Sequence, residues 1–267
     1  MMSPVCRLGN DIMTESHAFS LADRVVLVTG GASGIGVGIA QVLAEAGAIV
    51  LVADRDEAGA QREVENLVSA GHKADSVILD LADEASIVRG CADAIARHGA
   101  PWALVNNAGV QDRELLLEAT AAQWDRTVGI NARGPYLMSR EIARAMVAAG
   151  KGGRIVNIAS AALIGSIVKG HAAYAASKGA LAELSRASAL DLIEYRITVN
   201  TVLPGGVATR GSMEATGPRP DGPGRRMPPL GLSEPRDIGA AVLFFAAPAA
   251  HRITNQILAV DAGWSLS

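Results

Sequence analysis

Short apolar runs rich in β-branched residues recur along this chain, each ending at a glycine, a proline or a polar residue, with longer helical stretches between them. The runs cover residues 24–29, 48–53, 76–79, 102–105, 154–158, 197–202 and 256–260. Strands that are apolar at almost every position are buried on both faces, the condition of a parallel sheet covered by helices on either side. The intervening stretches, such as 35–46 and 124–149, are rich in Ala, Leu, Glu and Arg. This alternation predicts an α/β fold, a doubly wound parallel sheet of about seven strands.

No Pro/Gly-rich linker divides the pattern, so residues 21–267 are expected to form one domain. Of the 267 residues, 49% are hydrophobic and 19% charged, enough for a substantial core. A net charge of −3 and 3% aromatic residues supply neither a basic field nor stacking surfaces, so no nucleic-acid partner is expected. Cys6 and Cys91 make no disulfide framework, and the histidines show no ligand spacing, so no metal is expected. No apolar run approaches the roughly 18 residues of a membrane span. Residues 1–20 read as a polar extension, interrupted by Arg7, Asp11 and Glu15, without the apolar centre of a secretion signal. A soluble, cytoplasmic protein without a membrane partner is the expectation. The stretch 205–230 holds five prolines, Pro218, Pro220, Pro223, Pro228 and Pro229, and reads as a mobile functional loop.

Polar residues stand at or just beyond the carboxyl ends of the expected strands: Asp54, Asp80, Asn106, Ser160 and Thr209. Ligands of open α/β sheets bind at that edge. The first strand runs directly into Thr29-Gly30-Gly31-Ala32-Ser33-Gly34-Ile35-Gly36. A strand, a glycine turn and a helix N-terminus together make an anion site, because free backbone N–H groups point at a phosphate and no side chains obstruct it. The spacing is Gly-x-x-x-Gly-x-Gly, distinct from the Gly-x-Gly-x-x-Gly dinucleotide fingerprint. Asp54 closes the second strand, where a carboxylate can accept from a ribose 2′-OH and repel a 2′-phosphate, or else cap a helix. Arg55 follows and is able to hold a phosphate, so NAD is favoured over NADP without excluding it.

Tyr174 and Lys178 lie four residues apart, a spacing that stacks two side chains on one helix face. An ammonium there is expected to favour the phenolate and make the tyrosine an acid/base.

Thr29-Gly30-x-x-x-Gly34-Ile35-Gly36, Asn106-Asn107-Ala108-Gly109, Asn131, Ser160, Tyr174-x-x-x-Lys178 and Pro204-Gly205 together resemble the short-chain dehydrogenase/reductase family, in its short single-domain branch. The resemblance covers roughly residues 21–267 and keeps the order and approximate spacing of the motifs. It implies a Rossmann-type fold and an NAD-dependent oxidoreductase interconverting a secondary alcohol and a ketone by hydride transfer. It implies that Tyr174 is the acid/base, that Lys178 lowers its pKa and holds the nicotinamide ribose, and that Ser160 polarises the substrate oxygen. Asn131 is implied to fix a water in a proton relay behind Lys178. Asp80 and Leu81 would contact adenine, Asn106, Ala108 and Gly109 would line the cofactor cleft, and Pro204, Gly205, Val207 and Thr209 would surround the nicotinamide. Ser33 stands where NADP-preferring relatives often carry a basic residue. The 14-residue step from Ser160 to Tyr174 is about one longer than is common, which bears on the substrate pocket.

The rival in the same fold is an NADP-dependent 3-oxoacyl-thioester reductase, against which Asp54 and Ser33 count. A rival of another class is a non-catalytic nucleotide-binding regulator. Met213, Met227, Leu230, Leu163 and Ile164 tilt the expected small-molecule substrate towards a hydrophobic or cyclic one. His171 reads as a loop residue at the pocket rim, and Arg210, Arg219, Arg225 and Arg226 as a solvated loop face. Small residues around Tyr174 (Ala172, Ala173, Ala175, Ala176, Ala180) permit close helix approach between subunits, and the resemblance implies a homotetramer.

Overall fold

In this computed structural model, residues 18–165, 167–209 and 216–266 are described. The apolar runs become β1 (Val25–Thr29), β2 (Ile49–Asp54), β3 (Lys73–Ile78), β4 (Ala103–Asn106), β5 (Gly153–Ile158), β6 (Ile197–Pro204) and β7 (Ile257–Val260). They form one seven-stranded sheet, entirely parallel, in the order β3-β2-β1-β4-β5-β6-β7. The chain starts in mid-sheet at β1, winds to one edge, then returns to β4 and winds to the other. The reversal between β1 and β4 sends neighbouring connections to opposite faces, which opens a crevice beyond the strand ends.

Seven α-helices cover the faces among the described residues: α1 (Gly34–Glu45), α2 (Glu57–Ser69), α3 (Glu84–His98), α4 (Ala121–Val128), α5 (Gly134–Ala149), α6 (Ala172–Leu192) and α7 (Pro235–Ala246). Strand residues alternate between the two layers. Val26 and Val28 of β1 join Ile39 and Leu43 of α1 and Ile238 and Val242 of α7 in one core. Leu27, between them, joins Ile87 of α3 and Met138 and Ile142 of α5 in the other. Each such side chain contributes about 1.5–3 kcal/mol when fully buried, so both layers are needed to hide one strand.

Two boundaries differ from the sequence reading. β3 begins at Lys73, three residues before its apolar run, because pairing with β2 from Ile49 onward holds the polar residues Lys73 and Asp75 on the sheet edge. Edge residues bury only one side, so periodicity does not reveal them. The long stretch 124–149 is not one helix. α4 starts at Ala121 behind a Thr120–Gln123 capping box, and a π-helical turn, Gly129–Arg133, separates it from α5. Such turns concentrate at functional sites, and this one carries Asn131.

α1 and α7 cross at glycines. A Cβ on Gly38 would stand 2.4 Å from the Pro235 carbonyl carbon. No helix among the described residues is long and apolar enough to cross a membrane. Apart from residues 18–20, the N-terminal extension lies outside the described residues.

Candidate active site

The crevice opens where β1 and β4 end. Thr29 Oγ1 accepts from the backbone N–H groups of Asn107 at 3.0 Å and Ala108 at 3.1 Å. In return, Asn107 Nδ2 donates to the Thr29 carbonyl at 2.9 Å. This reciprocal pairing fixes the glycine turn against the loop after β4. The turn has no room for a side chain at Gly30 or Gly36: Gly30 has φ +65°, and its Cβ would stand 2.8 Å from Ala108 Cα. A Cβ on Gly36 would lie 1.9 Å from the Gly30 carbonyl oxygen. Ser33 is the α1 N-cap, yet its side chain makes no cap hydrogen bond. The helix N-terminus is therefore left to the crevice, where Gly30, Ser33 and Ile35 line a cavity of about 540 Å³. An uncapped N-terminus behind bare glycine backbone fits a pyrophosphate.

Asp54, Arg55, Asp80 and Leu81 line the far end of the same cavity. Asp54 is braced by two backbone N–H groups, one from the glycine turn and one local: Oδ2 accepts from Ala32 N at 3.2 Å and Oδ1 from Asp56 N at 3.1 Å. Each carboxylate oxygen has lone pairs beyond these, so the group still presents acceptors to the cavity. Asp80 is held similarly by Ala82 N at 2.9 Å.

A second cavity, about 530 Å³, adjoins the first through shared walls at Ile35, Asn107, Gly109, Val110 and Thr209. Ser160, Tyr174, Lys178, Pro204, Gly205 and Val207 line it. Ser160 leaves β5 as the N-cap of a 3₁₀ turn, accepting from Ala162 N at 3.1 Å. Tyr174 and Lys178 occupy the first turns of α6, both buried. The Tyr174 phenol is hydrogen-bonded to Ser160, which lowers its pKa, but burial outweighs this and holds it above the ordinary phenol value. Lys178 Nζ donates to the Ile158 carbonyl at 2.8 Å, and burial lowers its pKa to about 8. The expected lowering of the tyrosine by the lysine is thus not what the polypeptide itself produces. Desolvation disfavours the charged form of both groups, and the ammonium spends a bond on a backbone carbonyl.

Gly34, Gly36, Asn106 and Asn131 do not line either cavity. Gly34 and Gly36 shape the turn from behind. Asn106 is a correction: it is buried within the layers, with Nδ2 donating to Asn157 Oδ1 at 2.7 Å and Ser139 Oγ at 3.0 Å. Alternation along β4 turns it inward and gives the cleft position to Asn107. Asn131 is wholly buried. Its Oδ1 accepts from Val110 N at 2.8 Å, and its Nδ2 donates to Val110 O at 2.9 Å and Ser177 Oγ at 3.0 Å. It struts the loop after β4 against α6. A Cβ on Gly109 would lie 3.0 Å from Asn131 Oδ1 and 3.3 Å from Lys178 Nζ, so glycine is what lets these two approach.

The apolar wall of the second cavity is only in part the one expected. Val168, Leu232 and Ile158 line it beside Trp264, which the sequence offers as a cap on that pocket or as a subunit contact, whereas Met227 and Leu230 are exposed at 67% and 84% and Leu163 and Ile164 lie elsewhere. Arg210 and Met213 lie outside the described residues. His171 lines it as the rim residue that the sequence suggests, and Arg113 adds polar lining that the sequence does not reveal. The described part of the proline-rich loop is clasped by both neighbouring segments. Arg113 N and Nε donate to the carbonyls of Thr216 at 3.1 Å and Pro218 at 2.7 Å, and Lys169 N donates to Asp221 O at 2.7 Å.

Comparison with known proteins agrees with this geometry. Residues 24–219 match the family model described as short chain dehydrogenase. Galactitol 2-dehydrogenase (L-tagatose-forming) of Cereibacter sphaeroides is 37% identical, over 95% of this chain and 100% of the relative. D-threitol dehydrogenase of Mycolicibacterium smegmatis is 36% identical, over 93% of this chain and 95% of the relative. A crystal structure of 3-ketoacyl-(acyl-carrier-protein) reductase from Brucella melitensis complexed with NADH superposes with a TM-score of 0.83 at 33% identity, covering 92% of this chain and 100% of that one.

Proposed function

The chain belongs to the short-chain dehydrogenase/reductase family of oxidoreductases, which bind a nicotinamide cofactor, and from that premise we propose that it interconverts a secondary alcohol and a ketone with NAD. The observation that carries this reading is that Ser160, Tyr174 and Lys178 line one cavity that opens into the glycine cradle.

The bound nicotinamide would supply or accept the hydride. The turn from Gly30 to Gly36, with Ser33, Gly34 and Ile35, would hold the pyrophosphate on the α1 N-terminus. Asp54 would take the adenosine ribose, with Arg55 beside it, and Asp80 and Leu81 the adenine. Asn107 replaces Asn106 beside Ala108 and Gly109, and Pro204, Gly205, Val207 and Thr209 would enclose the nicotinamide end. Ser160 and Tyr174 both reach the position of a substrate oxygen and offer it two donors. Tyr174, with its raised pKa, carries its proton at neutral pH and is ready to give it to a carbonyl oxygen. Lys178, largely protonated at the same pH, would favour the phenolate as that proton leaves and would bind the cofactor ribose. Asn131 would act by positioning, holding Val110 while Oδ1 keeps a lone pair for a relay water near Lys178.

Asp54 supports NAD, because a carboxylate at the end of β2 repels a 2′-phosphate. The resemblance to a 3-ketoacyl reductase keeps that chemistry as the second reading. Relatives acting on galactitol and threitol support a small alcohol instead. The described residues 205–209 and 216–230 would border the substrate, and the exposed stripe Ala172, Ala176 and Ala180 on α6 supports a homotetramer. The reading is tested with Tyr174→Phe, which removes the hydroxyl and little packing. Turnover should fall by about 10²–10⁴-fold while NADH binding persists. Unchanged turnover would refute the mechanism, and a strong preference for NADPH over NADH would refute the cofactor.

A further inference from the structure

His171 is buried, with 6% of its surface exposed, and neither Nδ1 nor Nε2 has a hydrogen-bond partner. Other buried side chains with an orphaned polar atom (Glu63, Asn106, Arg154 and Thr198) line neither cavity, whereas His171 lines the one that holds Ser160 and Tyr174. Its ring lies against the Tyr174 ring, with centroids 5.0 Å apart. The backbone fixes it there: His171 N donates to Val168 O at 3.3 Å, and His171 O accepts from Ala175 N at 2.7 Å. It occupies the N-cap of α6 without capping the helix through its side chain. A buried polar group without a partner is costly, and the empty space beside this one is where the substrate must sit.

We propose that His171 binds a hydroxyl on the carbon next to the reacting one, so that the preferred substrates are vicinal diols and the matching hydroxyketones. This deepens the assignment of Tyr174 and Ser160 above and rests on it. The reacting carbinol would lose a hydride to the nicotinamide and a proton through Tyr174, while the second C–O–H stays intact. Chemistry selects a hydroxyl over other groups. Burial and the neighbouring Arg113 charge push the His171 pKa down to about 4, so the ring is neutral, with one donor and one acceptor nitrogen. A hydroxyl both donates and accepts and can satisfy either nitrogen. A carboxylate only accepts and an ammonium only donates.

The test compares kcat/KM for butane-2,3-diol and butan-2-ol in wild type, His171→Phe and His171→Gln. Wild type should prefer the diol by about tenfold or more, the gain expected where a site hydrogen-bonds a substrate hydroxyl. His171→Phe should lose most of that preference while retaining NADH binding, and His171→Gln, with its own donor and acceptor, should recover part of it. Saturation-transfer NMR of both alcohols on the NADH-loaded enzyme gives a second readout that needs no turnover. Diol binding should weaken in His171→Phe, and mono-alcohol binding should not change. Equal losses on the two alcohols, or no diol preference in wild type, would overturn the proposal, since a histidine satisfied only by solvent treats both alike. If neither alcohol is oxidised, the reaction assignment fails for these substrates, while the NMR comparison still decides whether His171 reads the second hydroxyl.

Discussion

Lys178 Nζ donates to the Ile158 carbonyl at 2.8 Å, tying the helix that carries Tyr174 to the strand that leads into Ser160. The lysine thereby aligns the two groups proposed to face the substrate oxygen, as well as carrying charge. Its cost is visible in its pKa, lowered to about 8 from 10.5 by burial. Below pH 8 the folded protein holds a buried ammonium, whereas the unfolded chain keeps its proton up to 10.5. Between these values the unfolded state binds more protons, so wild type gains stability as pH rises. Relative to Lys178→Met, the gain should be on the order of 3 kcal/mol, read as the difference in urea unfolding free energy at pH 7.5 and pH 10.5. A difference that stays flat across this interval would mean the lysine reaches water.

His171 gives a second pH signature at the opposite end of the scale. Its pKa is lowered from 6.5 to about 4, by burial first and by Arg113 second. The unfolded chain takes up a proton below pH 6.5 that the folded protein refuses until about pH 4. Stability carried by the neutral ring is therefore complete above 6.5 and lost as pH falls towards 4. Wild type should lose about 3 kcal/mol more than His171→Phe over that window. Thermal melts of both proteins at matched pH values measure it, and parallel acid losses would contradict a buried neutral ring.

The sheet was readable in the sequence because both faces of its inner strands are covered, so Val26, Leu27 and Val28 are apolar without interruption. β3 was misplaced by three residues because Lys73 and Asp75 lie on the wet edge. Helix periodicity puts Tyr174 and Lys178 on one face, but spacing alone did not distinguish the pair from chance, and the role of Ser160 was legible only through the family resemblance. Asn106 and Asn107 were not separable, because which of two adjacent residues faces the cleft depends on where β4 ends. The sign of the Tyr174 shift depends on burial, a tertiary property. Arg113, Val168 and Trp264 carry no local motif: long-range folding brings them to the cavity. His171 was visible at the rim, but its orphaned nitrogens exist only in three dimensions.

The proposed preference for NAD rests on the charge of Asp54 more than on its shape. Asp54→Asn keeps the side chain's size and an acceptor oxygen for Ala32 N, so the loss of stability should stay near 1 kcal/mol. The negative charge goes, and with it the repulsion of a 2′-phosphate. The ratio of kcat/KM with NADH to that with NADPH should shrink by about tenfold or more, the equivalent of 1.4 kcal/mol. Most of the change should appear as a lower KM for NADPH. An unchanged ratio would place cofactor choice in Arg55 or elsewhere.

Two glycines two residues apart in α1, Gly36 and Gly38, should separate cofactor binding from packing. Alanine is favoured over glycine in a helix by about 1 kcal/mol, so a substitution stabilises unless the new methyl group has nowhere to go. At Gly36 the Cβ would stand 1.9 Å from the Gly30 carbonyl oxygen, and at Gly38 it would stand 2.4 Å from the Pro235 carbonyl carbon. Both obstacles are backbone, so both variants should lose about 1–3 kcal/mol through overpacking despite the gain in propensity. Their effects on the crevice should differ. Gly36→Ala displaces the turn that presents the α1 N-terminus, and NADH affinity should drop by at least tenfold. Gly38→Ala strains only the contact between α1 and α7, and its NADH dissociation constant should stay within about twofold of wild type in a fluorescence titration below the melting range. Equal losses of affinity would show that the phosphate cradle and the α1–α7 contact move as one unit, because strain at Pro235 would then be reaching Gly30 through the helix.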